Sequence, residues 1–177
     1  MIHPRFDIRR RVKEILESSE VLPQKYRQGI YASRAIPVIP SNLPAILVQT
    51  SRESAQRIDR GTGLQRRELV LEIAVKALGE HERVQNEVDE VSFAIEKLLF
   101  WPTVFELDYV CDIVFRDYEL VLSDEGERVI NSCYLSWLVT YEIDAASVDA
   151  YDKPVDLEKY NGKIDSNLGE IGLRGGT

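Results

Sequence analysis

The sequence predicts an α+β protein: a mainly antiparallel sheet with two helices packed on it, followed by an extended C-terminal arm. Three observations carry this. Residues 67–78 alternate apolar and polar with period two, residues 82–100 switch to a helical stripe, and apolar residues thin out beyond about residue 145. The 177 residues suit one domain, over 1–145, with an arm or tail over 146–177. A chain of this length buries a core without disulfide or metal staples.

The elements follow in order. Over residues 5–19, Ile8, Val12, Ile15 and Leu16 form one helical stripe, while Arg9, Arg10, Arg11 and Lys13 occupy the rest of the circumference. That basic face suits either solvent or an anionic partner. Residues 20–44 carry Pro23, Pro37, Pro40 and Pro44, so 35–40 is an extended lead-in rather than a helix, with a short strand over 28–33 before it. Ala45–Thr50 is a strand with proline at its entry.

Residues 51–66 are polar, contain Gly61 and Gly63, and read as a long loop between two strands. Residues 67–78 form a strand with Leu69, Leu71, Ile73, Val75 and Ala77 on its buried face. Val84, Val88, Val91, Ile95 and Leu98 mark an amphipathic helix that ends before Pro102. Residues 110–122 and 127–144 are strands separated by a turn at Ser123–Gly126. In the second of these, Val129, Cys133, Leu135, Trp137, Val139, Tyr141 and Ile143 share one face, interrupted by Asn131.

Charge is unevenly distributed. Residues 1–76 hold fourteen lysines and arginines against eight acids, a balance of +6, whereas residues 77–177 hold eight against twenty-two, a balance of −14. Such a polarity bears on association rather than on fold.

The chemistry-bearing motifs are missing from the sequence. There is no phosphate-binding loop, and Gly61-Thr62-Gly63 has no third glycine and no helix after it. There is no nucleophile elbow. Cys111 and Cys133 lie 22 positions apart and read as small strand residues in a reducing compartment. His3 and His81, the two histidines, fall at the N-terminus and in a turn-like stretch, where solvent is the expected environment. No enzyme activity, metal or cofactor is therefore expected. No apolar run approaches the roughly 20 residues of a membrane span, and the first residues have no apolar signal region, so neither membrane insertion nor secretion is expected. Nonspecific nucleic-acid binding is the rival class, through the basic helix and the arginines of 52–67.

The order of elements resembles the phage tail-terminator proteins of lambdoid phages, contractile tails and tail-like bacteriocins. The features that carry the resemblance are the Arg-rich helix Arg5–Ser19, the proline-introduced strand Leu43–Val48, the long polar connection and the amphipathic strand Arg67–Leu78. The helix Val84–Leu99 and the closing strand that ends Leu138-Val139-Thr140-Tyr141-Glu142-Ile143 complete it. It spans about residues 5–145 and leaves the arm unassigned. It implies a structural virion protein, made in the host cytoplasm, that forms a homo-hexameric ring on the tail tube at the head-proximal end, stops elongation and presents the junction to the head. A neck or head-completion role at the same junction is the alternative. Implied partners are copies of the chain, the tail tube protein, a neck or head connector protein, the sheath where the tail contracts, and DNA passing through the lumen. In a head-to-tail ring, opposite charges on the two contact surfaces favour the correct register. The expected interface residues are Arg52, Arg57, Arg60, Arg66 and Arg67.

Overall fold

Five strands make one sheet: β1 (Ile30–Ala32), β2 (Ala45–Arg57), β3 (Leu64–Gly79), β4 (Val110–Glu125) and β5 (Arg128–Asp144). Their order across it is β1-β2-β3-β5-β4. The computed structural model describes residues 3–32, 39–59, 61–125 and 128–145. All neighbours pair antiparallel except β1, which runs parallel to β2 over Ile46–Val48. Helices α1 (Pro4–Ser18), α2 (Gln24–Arg27) and α3 (His81–Leu98) complete the α+β fold.

The core lies between the helices and one face of the sheet. Helix α1 begins at Pro4, where a missing N–H costs nothing, and the His3 side chain accepts from the Arg5 N–H at 3.2 Å. It buries Ile8, Val12 and Leu16; α3 buries Val84, Val88, Val91 and Ile95, and Leu99 just beyond its end joins them. These meet Leu69, Leu71, Ile73, Val75 and Ala77 of β3 and Cys133, Leu135, Trp137, Val139 and Tyr141 of β5 in one apolar cluster. The period-two and helical stripes read from the sequence thus face each other, and each fully buried Leu, Ile or Val contributes about 1.5–3 kcal/mol. No described element packs on the other face of the sheet, which we call the open face.

Residues 51–66 differ from the expected long loop. Strand β2 continues to Arg57 and β3 begins at Leu64, so the connection shrinks to residues 58–63. Ala45–Arg57 pairs with Gln65–Lys76, with a register shift between Thr50 and Arg52. The cause of the difference is burial. Beyond Thr50 both sides of β2 are largely exposed, so the strand has no apolar alternation to betray it and is held by backbone ladder bonds. Strand β4 also continues through Ser123–Glu125, where the sequence predicts a turn, and Gly126 lies outside the described residues. The strand expected over 28–33 is reduced to Ile30–Ala32, and Pro40–Asn42 closes a 3-10 turn at the end of the expected extended lead-in.

Gly29 brings β1 against the entry of β2. A Cβ there would stand 2.5 Å from the Pro44 carbonyl oxygen, so only glycine fits this approach.

Candidate assembly surface

The far ends of β2, β3 and β5 form a three-stranded arm: Arg52–Arg57 pairs with Gln65–Val70, and Leu64–Leu69 with Val139–Asp144. The arm is anchored at its root by a carboxylate. Glu53 accepts a very short hydrogen bond from the Tyr141 phenol, and its other oxygen lies 3.3 Å from Arg5 Nε and 3.6 Å from an Arg67 guanidinium nitrogen. Arg67 also donates to Gln65 at 3.0 Å. Burial, with the Glu53 hydrogen bond, raises the Tyr141 phenol above its ordinary range. Tyr109 stands edge-on to Tyr141 at 6.0 Å and donates to Asp7 of α1 at 3.0 Å. Burial, then this bond, raises Tyr109 likewise.

Helix α1 thereby clamps the arm. Arg9 donates to Thr50 Oγ1 at 2.6 Å, Arg10 meets Asp7 at 2.5 Å, and Arg11 donates to the Phe105 carbonyl at 3.0 Å and pairs with Glu106. Lys13 pairs with Glu17 at 3.4 Å. All four cations of the expected basic face have partners within the chain, and Arg9 and Arg11 tie α1 to its surroundings.

Of the five interface arginines expected from the sequence, Arg60 lies outside the described residues. The other four do not form one cluster. Strand alternation and register put Arg52 and Arg66 on the open face and Arg57 and Arg67 on the helix-bearing face. Arg66 pairs with Glu142 through contacts of 2.6 and 3.0 Å, and the hydrogen bond to that carboxylate holds its own pKa above the usual value. Arg67 belongs to the Glu53 anchor. Arg52 and Arg57 are exposed and make no ion pair with a described residue.

Two features escaped the sequence reading. The first is the anchor of Glu53, Tyr141, Tyr109 and Asp7, which depends on pairing register. The second is a set of exposed apolar side chains: Phe115, Tyr118 and Leu122 on β4, and Phe93, Phe100 and Trp101 at the end of α3. Lys97 sits 4.1 Å from the Phe93 ring centroid, and Phe100 and Trp101 contact edge-to-face at 4.8 Å. Tyr118 donates to Asp89 of α3 at 2.5 Å, and Phe93 follows one turn later on that side of the helix. The adjacent pair Phe100-Trp101 before Pro102 was the visible signal for this patch.

Among the described residues, no three His, Cys, Asp or Glu side chains converge as metal ligands, and no helix is long and apolar enough to cross a membrane.

Solved structures share this architecture. A chain of the "Virion of native gene transfer agent (GTA) particle" superposes with a TM-score of 0.55 at 14% identity, covering 76% of this chain and 94% of that one. At that identity the likeness is one of fold. No family model matches the sequence, and no curated protein matches it.

Proposed function

We propose that this chain is a structural protein of a phage or phage-like particle. Copies of it form a ring that caps the tail tube, ends tube elongation and offers the head-facing junction. The observation that carries the reading is a fold shared with a virion chain over most of both lengths, together with an arm whose β2 strand extension is largely exposed on both sides beyond Thr50. A surface of this kind completes itself against other protein. The order of elements is also that of tail terminators. The uneven charge of the sequence favours head-to-tail over like-to-like contact. Within this reading Arg52 and Arg57 of the arm, with Arg60, meet carboxylates of an adjacent subunit or tube ring, and Arg66 and Arg67 stiffen the arm. The resemblance sets the ring number at six.

Negative-stain electron microscopy of the purified protein, alone and with tube subunits, tests this. Annular particles that survive nuclease and co-purify with tube protein are the expected result. Rings that bind a head connector but not tube protein would move the role to the neck. Monomers that bind DNA and release it in salt would replace the structural reading with a nucleic-acid-binding one.

A further inference from the structure

Among the described residues the sheet ends in two open edges. Among the described residues, β4 pairs only with β5, leaving one side of Val110–Glu125 without a neighbour, and β2 is free on its outer side beyond Val48. At about 3.4 Å per residue, these edges run roughly 50 Å and 30 Å. Long edges that carry exposed apolar side chains invite another strand. Strand β4 carries Val114, Phe115, Tyr118, Val121 and Leu122, each 40–46% exposed.

The geometry points to a second copy of this chain as the occupant: the outer edge of its β2 arm adds to β4, continuing the sheet from one subunit to the next. This rests on the ring reading above and goes beyond it by naming the contact. Three observations select this occupant. First, the four strands β2-β3-β5-β4 alternate in direction, so the two edges run oppositely. Cyclic symmetry preserves strand direction along the axis. The β4 of one copy therefore meets the β2 of the next antiparallel, with helices on the same side in both. Second, the edges differ in charge on the same face. Register puts Asp112, Asp117 and Glu119 of β4 on the open face, where β2 presents Arg52. Pairing β4 with itself would instead set two such acid-bearing stretches side by side on the open face. Third, Arg57 and the exposed Ile58 belong to the arm that would lie along Phe115 and Tyr118, where a guanidinium can sit over an aromatic ring.

Charge exchange tests the contact. Full-length R52E, D117R/E119R and the triple variant are compared with wild type by native mass spectrometry and negative stain, with circular dichroism and thermal melts verifying the fold. R52E and D117R/E119R are each expected to lose the ring mass in favour of monomer at concentrations where wild type keeps it, and the triple variant to regain it. If D117R/E119R melts abnormally, E119R alone with R52E replaces it. Rings that persist in both charge variants would overturn the edge contact while leaving the ring reading intact. So would a triple variant that stays monomeric, or a dimer sensitive only to the β4 changes. A wild-type chain that forms no ring overturns both.

Discussion

Tyr141 of β5 reaches over β3 to donate its phenolic hydrogen to Glu53 of β2, so the root of the arm is tied across three strands by one charged hydrogen bond. Both groups are well shielded: Tyr141 is fully buried and the Glu53 side chain is 14% exposed. Arg5 and Arg67 complete the shell around the carboxylate. Shielding raises the value of such a bond, because the alternative is an incompletely satisfied charge away from water.

Removing that hydrogen bond should loosen the arm before it unfolds the domain. Tyr141→Phe is expected to lower stability by about 1.5–3 kcal/mol, the range for a hydrogen bond to a charged group. Amide exchange should rise first in residues 52–57. Uniform exchange across the sheet would show that the arm opens only with the whole domain, and an unchanged denaturant midpoint that Arg5 and Arg67 hold Glu53 by themselves.

The pH dependence has two ends. Tyr26, Tyr109 and Tyr141 all titrate above the ordinary tyrosine value of 10.0, through burial first and then through the carboxylates they donate to. A raised folded value means that their stabilisation is complete below about pH 10 and fades as pH rises beyond it. At the acid end, burial alone would raise Glu87. Hydrogen bonds from Lys25, at 2.7 Å, and Tyr26, at 2.6 Å, outweigh that effect and hold it below 4.5. A depressed folded value gives stability above pH 4.5 that is lost as pH falls through the folded value. Urea midpoints from pH 3 to 11 should therefore fall at both ends. The gap between wild type and Glu87→Gln should close below pH 4.5, whereas a gap constant with pH would exclude the carboxylate as its source.

Gly29→Ala should destabilise the junction of β1 and β2. Its methyl group would meet the Pro44 carbonyl oxygen at 2.5 Å, and backbone has to shift to relieve the clash. A loss of about 1–3 kcal/mol is expected from overpacking of this kind. A melting temperature equal to wild type would mean that the β1 contact contributes nothing to the fold.

Asn131 is completely buried on β5, and neither its amide nitrogen nor its oxygen has a hydrogen-bond partner among the described residues. It occupies a position on the face that Cys133 and Leu135 fill with apolar atoms. Asn131→Leu keeps the approximate shape and should stabilise the fold by up to about 1–3 kcal/mol, the cost of burying such a group unpaired. Calorimetry decides; a lower melting temperature would show that the amide is satisfied in solution.

The parts of the fold with one wet and one dry face were legible in the sequence. Leu69 to Ala77 and Ile8 to Leu16 announced a strand and a helix, because burial on one side imposes a period. Ser51 to Arg57 announced nothing, since a strand exposed on both sides carries no apolar code and is fixed by its neighbours' backbone. The site divides the same way. Exposed Arg52 and Arg57 were visible as charges in a polar stretch, but which face of the sheet each takes is set by the register shift between Thr50 and Arg52. Glu53 looked like one more solvated acid because Tyr141, Arg5 and Arg67 come to it from distant positions. Long-range convergence of this sort has no local spacing to read.

The contrast between the two thiols has a practical consequence. Cys133 is sealed in the core, whereas Cys111 lies exposed at the start of β4, where Val110 pairs with Tyr141 near the base of the arm. Burial nudges the Cys111 thiol above its ordinary pKa, so mildly alkaline buffer suits its alkylation. The unmutated polypeptide therefore has a single-site attachment point for a maleimide dye or spin probe, close enough to the arm for its signal to follow subunits as they come together.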